Sequence, residues 1–279
     1  MFYRSSIGAC ALAAALFATL SGAWAFDETK YPDLRGQWSR GKGGAQWDQS
    51  KPGGLRQEVP LTPEYRAIYE ANIKAEFAGG EAYNPQAICM PSGMPRMMIA
   101  YEPLEIIVTA EVTYVRVDHM SEFRRIYTDG RGWPDKIEPT FAGYSIGKWI
   151  DANGDGRYDV LEVETRAVRG PHAYDHNGIP FHKDNQVVFK ERIYIDKADP
   201  DILRDEITSI DNALTRPWTV TRTYYRDRNA SWYEHICVED NHHVIIGKES
   251  YFLSPDGLLM PTRKDQPPPD LKFFNQARK

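Results

Sequence analysis

"LEIIVTAEVTYVRVDHMSEFRRIYT", residues 104–128, strings together three short runs of β-branched and aromatic residues, each broken by a polar turn signal. Runs of this length, with side chains alternating in character, read as half-buried strands. The pattern continues in "YSIGKWI" (144–150), "VLEVETRAV" (160–168), "NQVVFKERIYI" (185–195), "LRDEITSI" (203–210), "WTVTRTYYR" (218–226) and "WYEHICVE" (232–239). Most gaps are short enough for antiparallel neighbours, which predicts a meander. Nine or so consecutive strands twist too far to stay flat, and closing the sheet into a barrel removes its exposed edges. The expected fold is all-β, an antiparallel up-and-down barrel spanning residues 26–265.

Outward from this core, "LTPEYRAIYEANIKAEFAGG" (61–80) predicts one helical insertion over about 62–80. Thr62 is the N-cap, Pro63 the first helical residue and Gly79-Gly80 the stop. "YFLSPDGLLMP" (251–261) adds a last hairpin turning at Pro255-Asp256-Gly257, and residues 266–279 form an extended tail. At the other end, residues 1–25 carry one early charge, Arg4, an Ala-rich apolar run and the small-x-small pattern Ala23-Trp24-Ala25. That is the pattern of a cleaved secretory signal, too short for a membrane span. The expected location is periplasmic or secreted, in a bacterium. There a disulfide between Cys89 and Cys237 is expected, the alternative being two unrelated buried thiols.

The net charge of −5, with both signs scattered, offers no footprint for nucleic acid. No nucleophile elbow, P-loop, dinucleotide fingerprint, CxxC or HExxH occurs in the chain.

"DLRGQWSR" (33–40) places Gly36 and Trp38 in a G-x-W that resembles the first-strand signature of lipocalins and related calycin barrels. The resemblance implies a calycin-like barrel whose Trp38 plugs the closed end, with a late arginine packed on it, Arg222 or Arg226. "RRIYTDGR" (124–131), "PTFAGYSIGKW" (139–149), Glu191-Arg192 and "TRPWT" (215–219) also resemble a group of functionally uncharacterised secreted bacterial proteins. That resemblance covers about half the chain and implies no activity.

Between two of the strands lies "DANGDGRYDVLE", residues 151–162. Asp151, Asn153, Asp155, Asp159 and Glu162 fall at positions 1, 3, 5, 9 and 12, with Gly156 at 6 and the Arg157 carbonyl at 7. This is the ligand spacing of a calcium loop, set here between strands rather than helices. A structural Ca2+ clamping a hairpin is expected, with Glu162 free to point off the sheet. The bland reading is an Asx-rich turn that binds nothing.

Strand alternation also predicts titratable side chains on apolar phases. His119 follows Val115 and Val117, and Glu191 lies in phase with Phe189 and Ile193. Asp205 sits between Leu203 and Ile207, Arg222 between Val220 and Tyr224, and Glu234 between Trp232 and Ile236. Arg125 shares a face with Phe123 and Tyr127. Each alone reads as a satisfied buried ion pair. Their recurrence predicts a polar-floored pocket of His119, Tyr127, Glu191, Asp205, Arg222 and Glu234, holding a small, partly apolar molecule.

The alternative is a cofactor-independent hydratase, isomerase or lyase. There His119 and Glu191 would transfer protons while Arg125 and Arg222 hold developing negative charge. A third reading is an envelope interaction protein with a filled barrel. His172, His176, His182, Asp175 and Asp184 form a further group, read as a transition-metal site or a solvated loop.

Overall fold

The computed structural model describes residues 26–269 apart from 42–43, 79–85, 87–88, 171, 230, 233–234, 238–241, 248 and 255. Nine strands close into a barrel in sequence order: β1 (Gln37–Ser39), β2 (Leu104–Val108), β3 (Val112–Val117), β4 (Glu122–Tyr127), β5 (Tyr144–Ile150), β6 (Val160–Arg166), β7 (Val188–Ile195), β8 (Ile202–Ile210) and β9 (Trp218–Asp227). One pairing departs from the meander. β4 and β5 run parallel through Ile126–Ser145 and Tyr127–Ile146, because residues 128–143 carry the chain back before β5 begins.

β9 closes on β1, setting Trp38 opposite Arg226. The Arg226 guanidinium lies 4.2 Å over the Trp38 ring, and the indole N–H donates to the Leu34 carbonyl at 3.0 Å. Arg226, rather than Arg222, is therefore the arginine on that tryptophan.

Helix α1 (Pro63–Phe77) is capped by Thr62, whose hydroxyl accepts from Tyr65 N at 3.5 Å. It buries Tyr65, Tyr69 and Ile73. Strands β10 (His243–Ile246), β11 (Glu249–Leu253) and β12 (Leu259–Pro261) make a separate three-stranded sheet. Its last hairpin turns at Asp256-Gly257, as its turn residues predict. No described helix is long and apolar enough to cross a membrane.

Two sequence expectations are corrected. The described residues of 232–239 are not a strand: Trp232 stacks under Arg116 at 4.2 Å, and Cys237 is bonded to Cys89. Along β4, Glu122, Arg124 and Ile126 face inward, so Phe123, Arg125 and Tyr127 face out. Aromatic residues suggested the wrong phase because the inward charges are fully bonded, which offsets the cost of burying them. Opposite them, Gly147 leaves room for Ile126, whose side chain would lie 2.5 Å from a Cβ at that position.

Candidate functional site

The titratable residues of β4, β7, β8 and β9 converge inside the barrel. Arg124 Nη1 donates to Glu191 Oε1 at 2.9 Å, and Nη2 donates to the other carboxylate oxygen and to Thr165 Oγ1. Arg124 Nε adds a bond to Ser145 Oγ at 3.1 Å. Both members of this ion pair are fully buried.

Asp205 and Arg222 face each other across β8 and β9 and are equally buried. Arg222 donates to the carbonyls of Gln46, Trp47 and Ile99, and the Tyr224 hydroxyl donates to Met98 O. Neither carboxylate oxygen of Asp205 has a partner. Burial, reinforced by the nearby Glu191 charge, raises its pKa well above the ordinary carboxylate value.

Space in the lumen is taken by the chain itself. Residues 94–100 insert Met94, Met97, Met98 and Ile99, all at most 2% exposed, and Trp47 enters beside them. The segment 172–181, with its expected solvated loop, instead caps the interior. Tyr174 packs against Trp47, Phe181, Phe189 and Trp218. The open pocket predicted for the lumen is thus a filled polar core.

His119 stands apart from Glu191. Its Nε2 lies 2.8 Å from Gln86 Nε2, and Gln86 in turn accepts from Arg96 Nη2 at 2.6 Å. The ring stacks on His235 at 5.1 Å and meets Tyr101 at 5.3 Å. Burial, with the neighbouring His235, lowers the His119 pKa to about 4 and keeps it neutral at pH 7. Non-glycine residues with left-handed φ cluster around it: Cys89, Ala100, Met120 and Ser121. Such backbone costs of order 1–3 kcal/mol per residue and gathers at functional sites.

The Cys89–Cys237 disulfide ties the segment before residues 94–100 to the chain beside His235. Sequence alternation alone does not signal Gln86, Arg96, Tyr101 or His235. Of the other predicted residues, Arg125 and Tyr127 line an outer cleft, and Glu234 lies outside the described residues.

The acidic loop is a ladder of turns. Asp151 accepts from the N–H groups of Gly154, Asp155 and Gly156, and Asp155 Oδ1 accepts from Arg157 N. Asn153 Oδ1 accepts from Asp155 N and Asp159 Oδ1 from Ala152 N. Gly154 and Gly156 adopt φ of 76° and 89°, which the tight wrap requires. Glu162 lies on the outer sheet face, 3.5 Å from Arg192 Nε. Among the described residues, no three His, Cys, Asp or Glu side chains gather as a metal cluster. This holds for the histidine segment too, where His172 meets Asn185 and His182 meets Asp184.

The loop touches a groove of about 580 Å³. It opens where the chain before β1 peels away from β2 at Gly36, whose φ is 96°. One wall is Phe26, Tyr31, Pro32 and Leu34; the other is β2 from Glu105 to Val108; Arg157 of the loop contributes a cation. Tyr158 N donates to Lys30 O at 2.7 Å, and Tyr31 packs on both Tyr158 and Trp149. Loop and groove wall are thus joined.

Asp118 N donates to Pro103 O and Thr109 N to Val112 O, which directs the odd-numbered residues of β2 toward β3. By the same alternation, the backbone N–H and C=O of Ile106 and Val108 point at the groove. No protein-family model, no curated protein and no solved structure matches this chain. Geometry alone carries the functional reading.

Proposed function

We propose that the chain is an exported, calycin-like barrel that binds a small, partly apolar molecule in the groove between residues 26–36 and β2. The observation that carries this reading is the groove itself: its size falls within the usual range for ligand sites, and its walls set Phe26, Tyr31, Ile107 and Val108 beside the charged Glu28, Asp33, Arg35, Glu105 and Arg157. Arg35 and Arg157 suit an oxygen function on the guest, while Phe26, Tyr31 and Leu34 suit its apolar part.

Calcium belongs to this proposal as a structural ion. Asp151, Asn153, Asp155 and Asp159, with the Arg157 carbonyl, are hard oxygen donors, and each carboxylate keeps lone pairs beyond those its N–H bonds use. Glu162, turned to Arg192, is left out of the set. A bound ion would fix the loop and, through Tyr158 and Arg157, one wall of the groove. Proton transfer between His119 and Glu191 finds no support, since each is bonded to a different partner.

The test is native mass spectrometry of the protein purified from its own host, alongside Ile107→Glu. Ile107 lines the groove and is 41% exposed, so its replacement leaves the core intact. A retained small molecule that the variant loses supports the site. A guest retained equally by the variant, or no guest at all, counts against it.

A further inference from the structure

On the outer face of β3 to β6, arginines and aromatic rings alternate in one continuous strip. Arg116 stacks over Trp232 at 4.2 Å and lies opposite Phe123 in the β3–β4 register. Phe123 meets Tyr114 at 5.0 Å, and Tyr114 lies opposite Arg125. Tyr127 is covered by Arg131 at 4.0 Å and packs on Tyr144, which meets Trp133 under Arg166. Arg169 covers Phe141 at 4.6 Å.

Within the strip sits a cleft of about 470 Å³, lined by Phe123, Arg125, Tyr127, Phe141 and Tyr144 among others. It occupies the seam where β4 and β5 share only two paired positions.

The chain as a whole carries −5, yet Arg116, Arg125 and Arg169 have no carboxylate within 4 Å among the described residues. Among the described residues Arg131 and Arg166 are ion-paired, to Asp129 and Glu164, and Glu105 is the register neighbour of Arg116. A guanidinium stacked on a ring is held in orientation while its N–H fork stays free to meet a planar oxyanion in bidentate fashion. The strip therefore presents pre-oriented forks at several points on one surface.

We propose that this strip binds an anionic polysaccharide bearing carboxylates, with one sugar ring seated in the cleft. Its carboxylate meets Arg125 and its less polar face lies against Phe123, which is 46% exposed. Neighbouring carboxylates along the polymer reach Arg116 and Arg169. A single-stranded nucleic acid is disfavoured because bases need open ring faces, and Tyr127, Trp133, Phe141 and Trp232 each have one face under a guanidinium. The strip also crosses the strands rather than following an edge, which disfavours an acidic peptide added as a strand. This site is separate from the β2 groove and does not depend on it.

The experiment is isothermal titration of the purified protein with polygalacturonate, and in parallel with neutral dextran, poly-glutamate, oligo-dT and phosphatidylglycerol vesicles. Polygalacturonate is expected to bind, more weakly at higher salt, with dextran silent. Arg125→Ala and Arg169→Ala are each expected to weaken binding about tenfold, the loss of one charge-assisted hydrogen bond. Both side chains face outward, and Arg125→Lys, which keeps the charge without the fork, is expected to recover only part of the affinity. Arg66→Ala, on helix α1 away from the strip, is expected to bind normally.

The proposal is overturned if polygalacturonate does not bind or if Arg125→Ala and Arg169→Ala bind as well as the parent. It is equally overturned if poly-glutamate, oligo-dT or the vesicles bind as tightly as the polysaccharide, since the face would then be a general anion surface.

Discussion

Arg124 on β4 and Glu191 on β7 meet across the barrel interior as a bidentate ion pair with no solvent exposure. Replacing one partner leaves the other charged, buried and without its counter-ion. Glu191→Gln is accordingly expected to cost about 3–5 kcal/mol of stability, measured by urea unfolding. Thr165 and Ser145 would keep only part of the guanidinium bonded. A loss below about 1 kcal/mol, the scale of an exposed pair, would show that water reaches this core.

The phase of β4 shows where sequence reading succeeds and where it stops. Alternation alone places Glu191, Asp205 and Arg222 on the inner face, and the structure puts them there. On β4 the same rule chooses Phe123 and Tyr127 for the interior, because it cannot see that Arg124 has a carboxylate waiting on a strand 67 residues away. The G-x-W at Gly36 and Trp38, the Thr62 cap and the Asp256-Gly257 turn are local signals, and each is legible. The filling of the lumen by residues 94–100 is a long-range event in a segment with no periodicity to read. So is the meeting of Gln86, Tyr101, His119 and His235.

Asp205 is expected to make the protein less stable as pH rises from acid. Its folded pKa is raised by burial, so the unfolded chain releases this proton first, from about the ordinary value of 3.8. The group's favourable contribution is complete below that value and is lost as pH climbs toward the folded pKa. Asp205→Asn should raise the melting temperature at pH 7 and flatten its pH dependence above pH 4. A variant that melts earlier at pH 7 would mean that the charged carboxylate is needed beside Arg222.

His119 acts in the opposite direction. Its folded pKa, lowered to about 4 by burial and by His235, lies below the ordinary 6.5. The unfolded chain therefore takes up the proton first, and stability falls as pH drops from 6.5 through 4. His119→Gln should remove that part of the acid slope in thermal melts. An identical slope in the variant would place the acid-sensitive group elsewhere.

For the acidic loop, chelation with EDTA is expected to lower the melting temperature of the parent protein. In Asp151→Ala or Asp155→Ala that difference should vanish, since each removes a ligand and frees loop N–H groups. Equal melting curves with and without chelator would leave the loop as a hydrogen-bonded turn.

The most direct measurement is hydrogen–deuterium exchange with calcium present and with calcium removed. Because Tyr158 N bonds to Lys30 O and Arg157 lines the groove, the ion should slow exchange in three places together: residues 151–159, residues 26–36 and β2. Protection confined to 151–159, or absent altogether, would contradict the union of loop and groove in a single binding site.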